Sequence, residues 1–209
     1  MAGANAYTVY GMSLSGNCHK VKTILELTKQ TYTWIETDPR VQATRSAEFL
    51  AKNPNGEVPL LQLPDGRCLP ESNAILFYLA QRTPYWPGEN ADEFDRAAVM
   101  RWMFFEQYSH EPYIAVNRAR LALFRDAVPE DPAVRSRHTK GTRTLGVMND
   151  HLAVNEFFAA ARVSIADIAL FAYTHVAHEG GFDLTEFPNI QDWLKRLYDR
   201  GFTAMPAAS

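Results

Sequence analysis

Glu71 and Ser72 follow Pro70 and open an apolar segment that is typical of a helix. A helix N-terminus carries free backbone N–H groups and partial positive charge, so it binds a carboxylate well. The Ser72 hydroxyl can donate a further hydrogen bond, and the Glu71 carboxylate can bind an ammonium group. Together they can recognise the α-carboxylate and α-amine of an amino acid, such as the end of a γ-glutamyl group. Helix capping is the alternative, because serine and acidic residues cap helices well.

Pro59 opens a predicted strand, where it removes one hydrogen-bond donor from the ladder. A cis bond between Val58 and Pro59 would turn the chain and expose the Val58 backbone, and an extended peptide can pair with such a backbone as an added strand. A trans bond is the ordinary alternative for an isolated proline. The surrounding elements follow the order β-α-β-α-β-β-α, a thioredoxin-like plan, and this context favours the cis form.

A third group of candidates lies in the segment Ser13-Leu14-Ser15-Gly16-Asn17-Cys18, between the first predicted strand and the first helix. A hydroxyl here can donate to a thiolate, and the helix start favours negative charge, so both lower a thiol pKa. Ser15 and Cys18 form an S-x-x-C pattern where thioredoxins carry C-x-x-C. Ser15 is therefore a candidate for activating a bound thiol, and Cys18 for acting as a reactive thiolate. Alternatively, Ser15 caps the helix and Cys18 is a small buried apolar residue.

The elements that must position these residues alternate in type, in the order β-α-β-α-β-β-α. A turn at Asp65-Gly66 makes the last two strands antiparallel, whereas strands separated by helices are parallel. This order predicts an α/β thioredoxin-like domain over residues 1–81 with a four-stranded mixed sheet. On the first helix Ile24 lies on the apolar face and Lys20 is predicted largely elsewhere. The predicted strands cover 7–10, 32–36, 58–63 and 67–69, and the predicted helices cover 17–29, 46–52 and 71–81.

The second part of the chain has a different pattern. Residues 82–92 hold two prolines and a glycine without periodicity, so they are a predicted linker. Residues 93–209 show helical periodicity and predict an all-α C-terminal helical domain with its own core. Its predicted helices cover 93–124 with a bend near Pro112, 132–158, 164–178 and 188–200.

Composition excludes several classes of protein. With 46% hydrophobic residues among 209, the chain has ample material for a core, and a net charge of -3 gives no electrostatic footprint for nucleic acid. No apolar run is long enough for a membrane helix, and Met1 to Ala6 lacks the regions of a secretory signal, so we expect a cytoplasmic protein with reduced cysteines. The histidines form no metal-like cluster with acidic residues, so no metal site is predicted.

Three segments carry a resemblance to a known family. They are residues 15–21 (SGNCHKV), 53–61 (NPNGEVPLL) and 69–75 (LPESNAI). The combination N-P-x-G-x-V-P-x-L with a downstream E-S-x-A-I is specific at this spacing. The chain resembles the cytosolic glutathione S-transferases over essentially its whole length, and it is most similar to bacterial members and to the theta-like serine type.

The resemblance implies a cis bond at Val58-Pro59, with the Val58 backbone pairing to the cysteinyl part of glutathione. It implies that Glu71 and Ser72 hold the γ-glutamyl end. It also implies a hydroxyl that stabilises the thiolate, three residues before a cysteine, and this pattern matches Ser15.

Other residues remain candidates within the resemblance. Ser13 and Tyr10 are weaker candidates for the hydroxyl, and in the beta type a cysteine near the helix start contacts the thiol, so Cys18 stays a candidate. Many members carry a basic residue before the Val-Pro pair to hold the glycine carboxylate, where this chain has Glu57. The residues that can compensate are Arg45, Lys52 and Gln42.

Two features of the helical half also follow from the resemblance. Ser164 and Asp167 fit a capping box and match a buried S-x-A-D box that supports folding. The aromatic stretch from residue 101 to 113 should run beside the electrophile pocket, with Tyr108, His110 and Tyr113 as candidates for substrate contact, although core packing is the alternative for His110 in particular.

The sequence therefore predicts an enzyme that conjugates glutathione, as co-substrate, to small apolar electrophiles in a detoxification reaction. Glutathione-dependent peroxide or disulfide reduction and dehalogenation are the alternatives within the same chemistry. A non-catalytic binding module of the same fold is the alternative outside it. The family resemblance also implies a homodimer, without nucleic acid or membrane as partner.

Overall fold

The computed structural model describes residues 6–159 and 162–208, and these residues divide into two compact units between Thr83 and Pro84. Residues 1–5, which contribute most of the segment considered for a secretory signal, lie outside the described residues. In the described part, no helix has the length and apolar character to span a membrane. The first unit contains β1 (Tyr7–Gly11), α1 (Gly16–Leu27), β2 (Tyr32–Glu36), α2 (Ala47–Lys52), β3 (Leu60–Gln62), β4 (Cys68–Pro70) and α3 (Ser72–Ala80).

The sheet of the first unit has the strand order β2-β1-β3-β4. β1 pairs with β2 in parallel, and β3 pairs in antiparallel fashion with both β1 and β4. This arrangement confirms the mixed four-stranded sheet and the thioredoxin-like plan predicted from the sequence. The prediction that strands separated by helices are parallel is confirmed for β1 and β2 but is wrong for β3, which is antiparallel to β1 although α2 precedes it, because a helix in the connection allows either strand direction. The apolar face predicted for α1 is confirmed as well, because Val21, Ile24 and Leu25 are fully buried.

β3 is shorter than the predicted strand over 58–63. Its ladder begins only at Leu60, after Pro59, whose nitrogen carries no hydrogen to donate. At its other end, Leu63 N–H donates to the Arg67 carbonyl at 2.8 Å and closes the hairpin. Gly66 in this turn has φ 89°, a left-handed conformation that suits glycine.

The second unit is helical, as predicted. Its helices are α4 (Glu93–Phe105), α5 (Glu111–Arg118), α6 (Pro132–Leu152), α7 (Ile165–Thr174) and α8 (Pro188–Tyr198). α4 and α5 belong to one helical run with π-helical turns at Glu106–His110 and Ala119–Leu123. In the first of these turns the Glu111 N–H donates to the Glu106 carbonyl, five residues back, directly before Pro112, which has no N–H.

α6 ends at Leu152 rather than at the predicted Phe158. The Asn155 side-chain amide donates to the carbonyl of His151 at 2.9 Å. The Val154 backbone N–H also donates to this carbonyl, at 3.3 Å, so the last turn of α6 closes here. Phe157 and Phe158 lie outside the helix but are buried, so apolar residues continue past the end of α6.

The Asp167 side chain accepts hydrogen bonds from three segments of the helical unit. The four donors are the Ser164 backbone and hydroxyl, the Phe158 backbone and the Trp193 indole. The predicted capping box at Ser164 and Asp167 is therefore present. Burial raises the pKa of Asp167, and the four donors act in the opposite direction.

His175 connects the end of α7 to the C-terminal segment. Its Nδ1 lies 2.8 Å from the Phe171 carbonyl, and its Nε2 accepts the Met205 backbone N–H at 3.0 Å. These two contacts define a neutral imidazole with its hydrogen on Nδ1, because Nε2 must offer a lone pair. Burial lowers the pKa of His175 from 6.5 to about 4.

We expect the His175 contact to make the protein less stable in mild acid. The unfolded histidine binds a proton below its ordinary pKa, whereas the folded one resists it, so stability is complete above 6.5 and is lost as the pH falls towards 4. From this group the free energy of unfolding should fall by about 2 kcal/mol between about pH 7 and about pH 5. Urea unfolding at both pH values measures this difference.

A His175→Gln variant provides the comparison, because glutamine can accept the Met205 N–H but does not titrate. Its stability should change less over the same pH range than that of the natural chain. His178→Gln, at an exposed position three residues further on, is the control and should retain the natural pH dependence. Equal pH dependence in the His175→Gln variant and the natural chain would contradict this expectation.

Candidate functional site

Backbone pairing brings the three segments with candidate chemistry to one end of the sheet. Tyr10 in β1 pairs with Leu60 at the start of β3, and Leu60 pairs with Pro70 at the end of β4. Both pairs are antiparallel, so the residues just beyond them leave the sheet at the same end. Those residues are the loop over 12–15, the Val58-Pro59 pair, and Glu71 with Ser72.

Ser15 is the N-cap of α1. Its side-chain oxygen accepts the backbone N–H of Cys18 at 3.4 Å, so the capping interpretation is correct. This cap does not exclude a catalytic role, because a hydroxyl oxygen that accepts one bond still has a hydrogen to donate. Ser15 is half-buried, at the point where the loop after β1 enters the helix.

Cys18 is fully buried, and its sulfur accepts a hydrogen bond from the same loop. The backbone N–H of Met12 lies 3.3 Å from its sulfur and donates to it. Burial raises the pKa of the Cys18 thiol to about 12, although hydrogen bonds from Ser15 and Met12 act in the opposite direction. The thiol therefore stays protonated at neutral pH, which argues against Cys18 as a reactive thiolate and favours the interpretation as a small buried residue.

The two weaker hydroxyl candidates have other partners. The Ser13 hydroxyl donates to a Glu36 carboxylate oxygen at 2.7 Å, and the Ser13 backbone donates to the other oxygen at 2.9 Å. Partial burial raises the pKa of Glu36, but the hydrogen bonds from Trp34 and Ser13 outweigh it and lower this pKa overall. The Tyr10 hydroxyl donates to the Gln62 side chain at 3.2 Å, within the sheet.

The start of α3 has an unusual backbone. Glu71 has φ 72° and ψ 110°, a region that non-glycine residues rarely adopt. Such a conformation costs about 1–3 kcal/mol and is found preferentially at ligand-binding and active sites. The Glu71 side chain is exposed, whereas Ser72 is buried as the first residue of the helix.

Asn17 and Lys20 join α1 to this start of α3, and the sequence pattern did not assign either of them to the site. The Ser72 hydroxyl donates to the Asn17 side-chain oxygen at 3.1 Å. The Lys20 ammonium lies 3.5 Å from the Ser72 oxygen and 3.3 Å from the Asn73 side-chain oxygen. The prediction that Lys20 lies largely away from the buried face of α1 is wrong, because the residue is fully buried. Its spacing of four residues from the buried Ile24 was the available signal.

The peptide bond between Val58 and Pro59 is cis, as the resemblance implied. Among the described residues, no hydrogen bond to the Val58 backbone is found, so its N–H and carbonyl are available to an extended peptide. The preceding turn is held by Asn53, whose side chain donates to the Glu57 carbonyl at 2.8 Å and accepts the Asn55 N–H at 3.2 Å.

The basic residues near this turn differ in their contacts. The Arg45 guanidinium donates to the Asn55 carbonyl at 3.3 Å and lies against Gly56, where a Cβ atom would come within 2.6 Å of it. Gly56 has φ 65°, a left-handed conformation that favours glycine, whereas the flexible end of the Arg45 side chain could move away from a Cβ atom. Lys52 instead forms an ion pair with Glu48 at 2.9 Å, one turn earlier on α2.

Gln42, the remaining residue considered for the glycine carboxylate, is exposed, and so is Glu57, which stands directly before the Val-Pro pair. Gln42 has φ 62° and separates two short 3₁₀ turns, at Pro39–Val41 and Ala43–Arg45, that the sequence pattern did not predict. Glu57 offers its side chain to solvent on the turn before Val58.

The three aromatic-stretch candidates of the helical unit lie in different surroundings. Tyr108 is 82% exposed, whereas His110 is fully buried with Nε2 2.9 Å from the Thr174 hydroxyl. His110 is thus a core residue, which favours the core-packing interpretation over substrate contact. Tyr113 lines a cavity of about 370 Å³ with Lys140, whose ammonium lies 5.5 Å from the ring centre.

Two further observations concern metals and thiols. Within residues 6–159 and 162–208, no group of three or more histidine, cysteine, aspartate or glutamate side chains is arranged to hold a metal ion. Cys18 and Cys68 are free cysteines.

Comparison with known families and structures adds independent findings. A family profile described as "Glutathione S-transferase, N-terminal domain" matches residues 9–90, and "Glutathione S-transferase, C-terminal domain" matches residues 106–200. The crystal structure of a glutathione S-transferase from Pseudomonas fluorescens Pf-5 is similar with 45% identity and a TM-score of 0.89, covering 95% of this chain and 98% of that chain.

Two other similar proteins are named for different reactions. The glutathione transferase URE2P6 from Phanerochaete chrysosporium, solved in complex with oxidized glutathione, is 25% identical with a TM-score of 0.84, covering 96% of this chain and 94% of that chain. The Disulfide-bond oxidoreductase YfcG from Escherichia coli (strain K12) is 29% identical, over 90% of this chain and 88% of its own length.

Proposed function

Since the chain belongs to the cytosolic glutathione S-transferase family, we propose that it conjugates the glutathione thiolate to small apolar electrophiles, as a serine-type enzyme with Ser15 as the catalytic residue. The observation that carries this proposal is the convergence of Ser15, Val58 and Glu71 with Ser72 at one end of the sheet. These groups complement the thiol, the cysteinyl backbone and the γ-glutamyl end of one tripeptide.

Each part of the tripeptide has a chemical counterpart. The Val58 backbone N–H and carbonyl pair with the cysteinyl residue as an added strand. The start of α3 and the Ser72 hydroxyl bind the γ-glutamyl α-carboxylate, and the Glu71 carboxylate binds the α-ammonium group. For the glycine carboxylate we favour Arg45 over Lys52, because Lys52 already forms an ion pair with Glu48.

The reaction is a nucleophilic substitution or addition at carbon. The bound thiol loses its proton to solvent, and the Ser15 hydroxyl donates a hydrogen bond to the thiolate, which lowers the thiol pKa. The sulfur then forms a bond to the electrophilic carbon. In a substitution, the bond to the leaving group breaks and that group departs with its electron pair. Cys18 takes no part, because its thiol is buried and protonated.

Glu71→Gln tests whether the Glu71 carboxylate binds the γ-glutamyl end of glutathione. Removing the charge should weaken glutathione binding about 10-fold, because a charge-assisted hydrogen bond to the ammonium group is lost. The turnover number at saturating glutathione should change little, since the group lies away from the sulfur. Isothermal titration calorimetry measures the affinity, and initial rates with a chloronitroaromatic electrophile measure the turnover number.

Glu57→Gln is the matched control for this measurement. It removes the same charge from an exposed glutamate of the neighbouring turn and should not weaken binding. If neither the natural chain nor the control binds glutathione, the proposed function is wrong. If both variants bind like the natural chain, the assignment of Glu71 is wrong while the function stands.

Disulfide reduction is the second candidate function, favoured by the likeness to Disulfide-bond oxidoreductase YfcG. Two glutathione molecules would then supply the two electrons that reduce a substrate disulfide and would leave as glutathione disulfide. This reaction also uses the thiolate stabilised by Ser15 and does not need Cys18. Comparing rates with a mixed-disulfide substrate and with a chloronitroaromatic electrophile decides which activity is greater, and a peroxide and a haloalkane extend the comparison to peroxide reduction and dehalogenation.

Turnover also separates an enzyme from a binding module, because a module would bind glutathione without converting any of these substrates. We further propose that the chain works as a homodimer in the cytoplasm and serves detoxification. Family membership supports these proposals.

A further inference from the structure

Lys20 is a buried charge at the start of α3. Its side chain is fully buried, a rare situation for lysine, yet its ammonium reaches Ser72 at 3.5 Å and Asn73 at 3.3 Å. Both contacts are to the first turn of α3, although Lys20 belongs to α1. A buried ammonium is expensive to maintain unless nearby acceptors or an anion stabilise it.

The contact determines how the Ser72 hydroxyl is oriented. An ammonium group can only donate, so it occupies a lone pair of the Ser72 oxygen. The hydroxyl hydrogen must then point away from Lys20, and it is donated to the Asn17 oxygen at 3.1 Å. The Ser72 hydroxyl is therefore already held as a donor. To bind a carboxylate at the start of α3, the hydroxyl only has to turn its hydrogen from Asn17 towards that carboxylate.

Lys20 and Glu71 place a positive and a negative charge at the start of α3. Lys20 adds a full positive charge to the partial positive charge of the helix N-terminus. Glu71 supplies an exposed negative charge one residue before Ser72. The α-carboxylate and α-ammonium groups of a γ-glutamyl residue carry the opposite charges, separated by a single carbon atom.

We propose that Lys20 is a positioning residue for the γ-glutamyl end of glutathione. It orients the Ser72 hydroxyl and supplies the positive charge that balances the ligand's α-carboxylate. This inference rests on the proposed function, because it assumes that glutathione binds at the start of α3.

The test compares two ligands by isothermal titration calorimetry on the full chain. One is glutathione, and the other is the same peptide with the γ-glutamyl α-carboxylate converted to a neutral carboxamide. The natural chain should prefer glutathione by about 10-fold to 100-fold, the range expected for a hydrogen bond to a charged group. Lys20→Met should reduce this preference to less than about 3-fold, because only the charged ligand loses an interaction.

A structural role alone would weaken both ligands equally and leave their ratio unchanged. The control is Lys22→Met, which removes a half-exposed lysine two residues further along α1 and should keep the natural preference. In the conjugation reaction Lys20→Met should raise the KM for glutathione and leave kcat nearly unchanged, because the sulfur lies away from this end of the peptide.

The outcomes separate the two proposals. If the natural chain binds neither ligand, the proposed function and this inference both fail. If it binds glutathione and Lys20→Met keeps the natural preference, only the inference fails. Lys20→Gln, which retains a donor but not the charge, is the second variant if Lys20→Met does not fold. Failure of both variants to fold would overturn the inference in favour of a purely structural role.

Discussion

Replacing Ser15 by alanine is expected to lower kcat/KM for glutathione conjugation about 100-fold at neutral pH, the effect typical of removing one hydrogen-bond donor to a reacting anion. The hydroxyl stabilises the thiolate but not the thiol, so its loss should raise the pKa of the bound glutathione thiol by about 2 pH units. The ultraviolet absorbance of the thiolate, followed against pH, measures this pKa directly. The rate deficit should narrow as the pH rises towards the new pKa.

Measuring stability beside the thiol pKa distinguishes this role from helix capping. Ser15→Ala also removes the cap of α1. Loss of the cap alone should lower the free energy of unfolding by about 1 kcal/mol and would not alter the thiol pKa. Ser15→Thr keeps a hydroxyl and should retain most activity. Ser13→Ala should leave the thiol pKa unchanged, because the Ser13 hydroxyl donates to Glu36. An unchanged pH profile in Ser15→Ala would show that another group activates the thiol.

Replacing Asp167 by alanine is expected to lower the free energy of unfolding by about 3–5 kcal/mol, the largest stability effect we anticipate in this chain. The carboxylate accepts four hydrogen bonds, and its removal leaves the Ser164 backbone and hydroxyl, the Phe158 N–H and the Trp193 indole without their acceptor. Urea unfolding followed by tryptophan fluorescence measures the loss.

Asp192→Ala is the matched control, because it removes an exposed aspartate of α8 next to Trp193. It should change stability by less than about 0.5 kcal/mol. Ser164→Ala should fall between the two, since it removes only the cap and one of the four donors. If Asp167→Ala were as stable as Asp192→Ala, the buried network would not stabilise the helical unit as we infer.

The sequence predicted those parts of the protein that depend on local patterns. The order of strands and helices follows from periodicity and turn residues, and the capping box at Ser164 needs only residues three apart. The cis bond before Pro59 is favoured by the thioredoxin-like order of the elements and implied by the family resemblance, whereas an isolated proline favours the trans form.

The sequence could not predict what depends on tertiary packing. The charge of Lys20 favours a position away from the apolar face of α1, and only the contact with α3 shows where the buried ammonium finds acceptors. The raised pKa of Cys18 arises from its complete burial, which no neighbouring residue in the sequence reveals. The strand register that gathers the site likewise depends on pairs of residues that are far apart in the chain, such as Tyr10 with Leu60.

The pairing of β1, β3 and β4 also has an evolutionary consequence. Backbone hydrogen bonds bring the three loops together, and these bonds can form with almost any side chain on the strands. Mutations on the faces of the strands can therefore accumulate while the loops stay together, provided that the apolar pattern persists. Lineages can in this way diverge widely in sequence, retain a shared binding framework and acquire new substrate preferences through the few residues that the loops carry.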